Sequence, residues 1–208
     1  INFYASDISF NRLFAGKQFL KKNLTKKSFS RVKFICNDHL FIPLSSNSID
    51  LVITMHAMEP NNKYKKKLLS EILRVSNKGV ILMEPHYENA NNQVKKRMDK
   101  FNYLKNFENT IKSFGLPYKI IKNLYNGTTH NNSSLFIIYK KTIKKNKIAF
   151  INDTDMNPLS KIDNFYISEN TKEVYPMLSD IFIMKKNEKI YLPKLSDRKH
   201  KNYFKFVK

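Results

Sequence analysis

The chain has 208 residues, of which 41% are hydrophobic, and it carries a formal net charge of +21. This length can bury a sizeable core in one domain and leaves room for a small second one. No apolar run approaches the ~20 residues of a membrane-spanning helix, and the single cysteine, Cys36, excludes an internal disulfide or a cysteine-based zinc site. The first residues, INFYASDIS, lack the features of a signal peptide, so we expect a cytoplasmic setting.

The positive charge makes nucleic acid the first partner to consider, because basic surfaces attract phosphate. Lysine supplies most of this charge, although arginine is the better bidentate ligand of phosphates and bases. The lysines are also spread over every segment of the chain. We therefore interpret them mainly as a solvated surface, and we expect neither nucleic acid nor a membrane as the main partner.

The N-terminal segment predicts a strand, a helix and a second strand. Asn2–Ser6 reads as a short strand that ends at Asp7, and Ser9 can cap the helix that follows. The predicted apolar face of this helix consists of Phe10, Leu13, Phe14, Phe19 and Leu20. Val32–Cys36 is the next strand, and residues 37–39 form its exit loop.

Two short apolar runs, Ile49–Thr54 and Gly79–Met83, flank an amphipathic helix predicted over residues 63–76. Both runs are rich in β-branched residues, so we expect strands covered on both faces, as in parallel sheets. Strand, helix and strand make a βαβ unit, whose ligands normally lie beyond the carboxyl ends of the strands. Those ends carry two polar clusters, His56–Asn61 and Glu84–Glu88.

The segment from Asn91 to Phe114 predicts a long helix with an interruption near Asn102. Beyond it, Tyr118–Leu124 and Ser134–Tyr139 read as antiparallel strands that are joined by a polar loop over residues 125–132. Residues 140–147 form a charged linker. Ile148–Leu195 then contains short β-like runs, which predict a small unit held by its aromatic residues: Phe150, Phe165, Tyr166, Tyr175, Phe182 and Tyr191.

The ordered segments IPL, SIDLVIT and LLSEILRVSNKGVILMEP resemble the second half of class I S-adenosylmethionine-dependent methyltransferases. The similarity is to the type that modifies sugars and small molecules and that has an E-P-x-Y-E segment after its fifth strand. It extends from about Phe3 to Lys141 and implies an α/β fold with a Rossmann-like sheet. We assign this domain to residues 1–145.

The family begins with a strand and a glycine-rich turn, which this chain lacks. Its four glycines, at positions 16, 79, 115 and 127, are far apart. If Asp7 ends the family's second strand, the central first strand precedes Ile1, and its loss would leave a gap of about 10 Å in the sheet. We therefore expect a fragment of a longer chain. The alternative is a rearranged or degenerate protein that no longer binds the cofactor.

The resemblance implies S-adenosylmethionine as the cofactor and suggests which residues bind it. Asp7 stands where the family's acidic residue accepts hydrogen bonds from the ribose hydroxyls, although a helix cap is the alternative. Asp38 stands where an acidic residue meets the adenine amino group, with the backbone N–H of His39 at the ring; an Asx turn is the alternative. Thr54 and Met55 should run beside the cofactor.

The same resemblance makes Glu84 and Tyr87 candidates for orienting the methyl acceptor. His56 is either the general base for an acceptor hydroxyl or a structural histidine that shapes the pocket. Three further polar residues are predicted to face the substrate: Glu59, Asn61 and Glu88. Ordinary surface-loop chemistry is the alternative for these two clusters. Methyl transfer needs mainly alignment of the reacting groups, so the site needs no strongly catalytic residue.

The tail, assigned to residues 146–196, resembles the zinc-ribbon-like modules that accompany some methyltransferases. Tyr175–Ile183 is similar to their ending, but Asn152 and Asp153 stand where such modules carry Cys-Pro, and Asp180 and Phe182 replace the usual Gly and Pro. A structural zinc site needs about four thiolate or imidazole ligands, so we predict that no metal is bound. Residues 197–208 form a basic tail.

The sequence therefore predicts an S-adenosylmethionine-dependent methyltransferase that acts on a small molecule or a sugar. One alternative is a degenerate, non-catalytic scaffold whose tail module binds a partner protein. The other is a methyltransferase that acts on RNA through the lysine surface, for which salt-dependent binding is the test.

Overall fold

The computed structural model describes residues 1–124, 133–141 and 144–191. The predicted loop over residues 125–132 and the basic tail over residues 197–208 lie outside the described residues. The chain divides into two compact units: residues 1–43 together with the chain from residue 149, and residues 44–148. This division groups the tail with the first 43 residues, whereas a domain boundary at residue 145 is predicted from the sequence. The predicted domain assignment stays a prediction.

The first unit begins with a parallel pair of strands, β1 (Phe3–Asp7) and β2 (Val32–Cys36). Helices α1 (Phe10–Asn23) and α2 (Lys26–Phe29) connect them, and the Ser9 side chain caps α1 by accepting a hydrogen bond from the backbone N–H of Arg12. These elements agree with the sequence prediction. A small apolar core forms between α1 and the sheet from Leu13, Phe34, Cys36 and Ile181.

The second unit contains the predicted βαβ arrangement. Strand β3 (Ile49–Met55) leads through a 3₁₀ turn (Glu59–Tyr64) into helix α3 (Lys65–Val75), and strand β4 (Ser76–Pro85) lies parallel to β3. The helix buries one apolar face made of Leu68, Leu69, Ile72, Leu73 and Val75. The predicted parallel pairing is therefore confirmed.

The helix predicted over residues 91–114 is interrupted near Asn102, as expected, and forms two short helices, α4 (Asn92–Lys100) and α5 (Phe107–Lys112). Asn102 and Asn106 between them have left-handed φ values of 50° and 51°, a conformation that asparagine tolerates better than most residues. Strands β5 (Tyr118–Ile121) and β6 (Ser133–Tyr139) are antiparallel, as predicted, and the sheet order is β3-β4-β6-β5.

Glycine is required at position 79, where β4 passes close to β6. Its φ is 151°, and a Cβ atom built there would lie 2.3 Å from the carbonyl oxygen of Ile138. The close approach allows β4 to pair with the whole length of β6, from Gly79 opposite Tyr139 to Pro85 opposite Ser133. This register places the carboxyl end of β4 beside the start of β6.

Strand β3 differs from the prediction that both faces are covered. Leu51, Ile53 and Met55 are 44%, 68% and 68% exposed, and β4 is the partner of β3 among the described strands. Strand β1 likewise pairs only with β2 among the described strands. Among the described strands, β1 and β3 therefore each have one paired edge.

The C-terminal part of the first unit is built from short strands, as predicted for the tail. Strands β7 (Ser160–Ile162), β8 (Phe165–Ile167), β9 (Glu173–Leu178) and β10 (Ile181–Ile183) pair in antiparallel order, and β11 (Ile190–Tyr191) pairs with β9. Strand β10 also joins β2 in parallel, which gives a seven-stranded sheet.

Three of the predicted aromatic residues in the tail form one cluster. The ring centroids of Phe150, Tyr166 and Phe182 lie 4.6 to 5.1 Å apart. The turn between β9 and β10 has positive φ at Ser179 and Asp180, 50° and 55°. Such values define the two-residue turns that favour glycine, so the departure from glycine at Asp180 is accommodated within the same turn geometry.

Within the described residues, no helix is long and apolar enough to cross a membrane.

Candidate functional site

In the first unit, the carboxyl ends of β1 and β2 bring the predicted adenosine-binding residues together. The backbone N–H of Asn37 donates to the carbonyl of Asp7 at 3.2 Å, so Asp7 and the loop from Asn37 to His39 are neighbours. The Ser6 hydroxyl donates to Asn37 Oδ1 at 2.5 Å and lies 3.2 Å from His39 Nε2. The side chains therefore lie at one edge of the sheet, as the topology requires.

Asp38 makes the Asx turn considered as its alternative, whereas Asp7 makes a turn contact before α1, whose cap is Ser9 and not Asp7. Asp7 Oδ1 accepts from the backbone N–H of Ser9 at 2.8 Å, directly before α1, and Asp38 Oδ1 accepts from that of Leu40 at 2.9 Å. These turns fix one oxygen of each carboxylate. Arg12 lies 4.0 Å from Asp7 Oδ2, which is a loose ion pair with an exposed arginine. The roles of Asp7, Asp38 and His39 in cofactor binding stay predictions.

Two features make this edge suitable for a polar, partly aromatic ligand. Ser6, Asp7 and Arg12 line a shallow hollow whose other walls are apolar side chains of α1 and of β2. Burial lowers the pKa of His39, and the nearby Asp7 and Asp38 only partly offset this effect. The His39 ring is therefore neutral at pH 7.

In the second unit, the ends of β3 and β4 are joined through Glu84. Its carboxylate is fully buried and accepts three hydrogen bonds: from the Thr54 hydroxyl at 2.8 Å and from the backbone N–H groups of Ala57 and Met58, each at 3.1 Å. Burial raises its pKa to about 7, although these hydrogen bonds and the nearby His56 lower it in part. The contacts order the segment after β3. The predicted role of Glu84 in orienting an acceptor stays a prediction.

His56 occupies the first position after β3 and has a left-handed φ of 55°. Its backbone N–H donates to the carbonyl of Met83 at 2.9 Å. Its Nδ1 lies 2.9 Å from Glu59 Oε2, and its Nε2 lies 3.1 Å from the Ser133 hydroxyl. A strained, non-glycine backbone at a strand end is a feature of functional sites. The geometry therefore places Glu59, predicted to face the substrate, against the ring of His56.

The remaining predicted residues lie around this strand end. Met55 is 68% exposed, on the uncovered face of β3. Asn61 donates to the carbonyl of Ala57 at 3.1 Å. Tyr87 donates to Asp99 at 3.2 Å, and Glu88 accepts from the backbone N–H of Asn106 at 2.7 Å. Their predicted substrate contacts stay predictions, and each has a structural partner within the unit.

Sequence reasoning missed the serines at the start of β6. Ser133 contacts His56, and Ser134 lies 2.9 Å from Nδ1 of the buried His86. The signal was the pair of adjacent hydroxyls at the start of a strand that returns beside β4. Because adjacent strand residues point to opposite faces, the two serines reach two different histidines.

Comparison with known proteins shows a similarity to methyltransferases. Residues 1–83 match the family model described as a methyltransferase domain. A crystal structure of a SAM dependent methyltransferase from Aquifex aeolicus is similar at 12% identity and a TM-score of 0.48, over 67% of this chain and 69% of that one. No curated protein matches. The family match over residues 1–83 agrees with the resemblance predicted from the sequence.

Proposed function

We propose that this chain takes part in methyl transfer from S-adenosylmethionine to a small molecule or a sugar. The observation that carries the proposal is the position of Asp7 and Asp38 after two paired parallel strands, β1 and β2. Ligands of such sheets bind beyond the carboxyl ends of the strands. The cytoplasmic setting predicted from the sequence belongs to this proposal.

The donor set at this edge fits the adenosine part of the cofactor. A carboxylate offers paired acceptors for the two ribose hydroxyls, and Asp7 Oδ2 is held only by a distant arginine among the contacts of the described residues. The neutral ring of His39 brings no positive charge toward the adenine. When bound, the cofactor supplies an electrophilic methyl group on a sulfonium.

The methionine part of the cofactor finds no matching turn among the described residues. Gly16 lies within α1, Gly79 within β4 and Gly115 after α5, so none follows a strand beside Asp7. Binding of the methionine part would therefore require a glycine turn in addition to the described residues.

At the acceptor side, His56 is the group that can take a proton from a hydroxyl. Glu59 accepts from Nδ1, so the neutral ring carries its proton there and leaves Nε2 as the basic atom. Glu84, Tyr87, Asn61 and Glu88 would shape the surrounding pocket. An acceptor with a hydroxyl, such as a sugar, suits this arrangement, because a base is needed only when the acceptor carries a proton to lose.

The test is calorimetric titration with S-adenosylhomocysteine, using the chain together with the coding sequence that precedes Ile1. We expect binding, and we expect Asp7→Ala to weaken it by roughly 1.5–3 kcal/mol, the worth of hydrogen bonds to a charged group. Asp50→Ala is the matched control, because Asp50 is an exposed aspartate paired with Lys145 and Lys78.

No binding by the extended chain would favour the degenerate scaffold instead. If Asp7→Ala and Asp50→Ala bind S-adenosylhomocysteine with equal affinity, Asp7 does not bind the cofactor, and its role is limited to the turn with Ser9. Residues 1–208 without the upstream sequence should bind weakly or not at all. A ligand-induced thermal shift as large as that of the extended chain would contradict the missing-strand interpretation.

A further inference from the structure

Ser133, His56 and Glu59 form a chain of side chains in which each contacts the next. Glu59 Oε2 lies 2.9 Å from His56 Nδ1, and the Ser133 hydroxyl lies 3.1 Å from His56 Nε2. All three belong to the second compact unit. Ser133 and His56 are 77 positions apart in the sequence, so the pairing of β6 with β4 is what brings them together.

The direction of the hydrogen bonds follows from the chemistry of the groups. A carboxylate only accepts, so Nδ1 of His56 carries the proton that it shares with Glu59. In the neutral ring, Nε2 is then unprotonated and accepts from the Ser133 hydroxyl. A serine that donates to a histidine whose other nitrogen is held by a carboxylate is the arrangement that activates a hydroxyl nucleophile.

The molecule contains a second serine–histidine pair that lacks this arrangement. Ser134 contacts His86, but the other ring nitrogen of His86 lies 3.7 Å from Glu88, beyond hydrogen-bond distance, and the His86 side chain is 2% exposed. The side chain of His56 is 38% exposed. Solvent and small reagents can therefore reach the first pair, and the second pair is enclosed.

We propose that Ser133 is a nucleophile that hydrolyses small acyl esters, with His56 as its base and Glu59 as a positioning residue. Ser133 itself is 5% exposed, so the acyl group must be small. Acetyl esters of simple alcohols are the class that fits. The reaction needs no S-adenosylmethionine, but it uses the same His56 Nε2 that would act as the base for a methyl acceptor.

The chemical steps balance without any further reactant but water. The Ser133 hydroxyl gives its proton to His56 Nε2 as Oγ bonds to the ester carbonyl carbon. The C–O bond to the alcohol then breaks, and the alcohol leaves with the proton from Nε2. Water repeats the two steps on the acyl-serine, which releases the carboxylic acid and restores the serine hydroxyl.

The experiment treats the full chain with phenylmethylsulfonyl fluoride and locates the modified residue by peptide mass spectrometry. We expect modification of Ser133 and none of Ser134, and no modification of the urea-unfolded chain. This measurement needs no variant, so a folding defect cannot obscure it. Modification of both serines alike, or of neither, would overturn the proposal.

Kinetics with p-nitrophenyl acetate then test each role. Ser133→Ala should abolish hydrolysis above the background, and His56→Gln should slow it about 100-fold, the usual contribution of a general base. Ser134→Ala is the matched control and should retain the wild-type rate. Unchanged hydrolysis in Ser133→Ala would refute the assignment.

The role of Glu59 needs a measurement that a purely structural contact would not change. In Glu59→Gln, the imidazole ¹⁵N chemical shifts of His56 should show loss of the fixed Nδ1–H tautomer, together with slower hydrolysis, and Glu59→Asp should restore part of both. A slower rate with an unchanged tautomer would show that Glu59 does not position the His56 ring for catalysis.

Discussion

Two glutamates, one in each compact unit, are both fully buried and yet have pKa values on opposite sides of the ordinary one. Glu84 at the end of β4 and Glu173 on β9 have no exposed surface. Burial raises the pKa of Glu84 to about 7. Burial acts in the same direction on Glu173, but hydrogen bonds from Lys189, Tyr191 and Asn152 outweigh it and lower that pKa to about 2.

The difference lies in the charge of the partners. Glu84 is held by a hydroxyl and two backbone N–H groups, which stabilise an anion but bring no positive charge. Glu173 meets the ammonium of Lys189 at 2.5 Å, and Asp153 meets the same ammonium at 2.9 Å. A buried carboxylate stays ionised when a buried cation accompanies it, and otherwise it titrates near neutrality.

The two sites consequently differ in what they can do. Glu84 changes its charge close to physiological pH, beside the candidate site at the end of β3, whereas Glu173 stays ionised down to acidic pH. Asn152 and Asp153, which contact the Glu173 network, stand where the resembling ribbon modules carry Cys-Pro. In this chain, the positive charge next to Asp153 and Glu173 is the ammonium of Lys189.

Removing the ammonium should give the largest effect. We expect Lys189→Met to lower the free energy of unfolding by about 3–5 kcal/mol, because it leaves the carboxylate of Glu173 buried without its counter-ion. Chemical denaturation at pH 7 measures this loss. Lys186→Met is the control, since Lys186 is an exposed lysine in the same turn. Equal losses in the two variants would show that Lys189 is not the decisive partner.

The pH dependence of stability should distinguish the two glutamates. Because the pKa of Glu84 is raised in the folded state, Glu84 contributes its full stabilisation to the free energy of unfolding below pH 4.5, the ordinary pKa of the group. This stabilisation is lost as the pH rises through about 7. The free energy of unfolding of the wild type, relative to Glu84→Gln, should fall by about 2–3 kcal/mol between pH 5 and pH 8. Denaturation curves at the two pH values give this difference. A constant difference would mean that Glu84 keeps its ordinary pKa.

Glu173 should show the reverse dependence. Because the pKa of Glu173 is lowered in the folded state, Glu173 contributes its full stabilisation to the free energy of unfolding above pH 4.5, the ordinary pKa of the group. This stabilisation is lost as the pH falls toward 2. The difference between the wild type and Glu173→Gln should therefore be flat from pH 5 to pH 8 and shrink only in acid. Acid titration followed by circular dichroism measures it.

The smallest effect should come from the hydroxyl at Glu84. Thr54→Val removes one donor to the carboxylate and should cost about 1.5 kcal/mol at pH 8, the lower end for a hydrogen bond to a charged group. Thr54→Ser keeps the donor and should remain close to the wild type. The loss in Thr54→Val should diminish at pH 5, where Glu84 is protonated. A loss that is independent of pH would point to packing rather than to the hydrogen bond.

The sequence predicted what local patterns determine. Val32–Cys36 and Ile49–Met55 are strands because β-branched and aromatic residues run between polar breaks, and the structure agrees with both. The interruption predicted near Asn102 in the helix over residues 91–114 is confirmed, but the second left-handed asparagine, at 106, was not predicted, because helical periodicity does not reveal it.

Contacts between distant parts of the chain were beyond sequence reasoning. Nothing in the residues near His56 indicates that Ser133 will lie 3.1 Å from its ring, because the pairing of β6 with β4 decides it. Lys189 reaches Glu173 in the same way, through the pairing of β11 with β9. The sequence suggested the candidate residues at strand ends, but it did not suggest which of them are partners.

The parallel pairing of β10 with β2 affects the order in which the protein can fold. Ile181–Ile183 is made long after Phe34–Cys36 leaves the ribosome, whereas residues 44–148 are contiguous. Pairings between residues distant in the chain form slowly, because a long loop must close first. During synthesis, the middle of the chain can therefore fold before the sheet built from its two ends. Until β10 is synthesised, one edge of β2 stays unpaired and is exposed to chaperones.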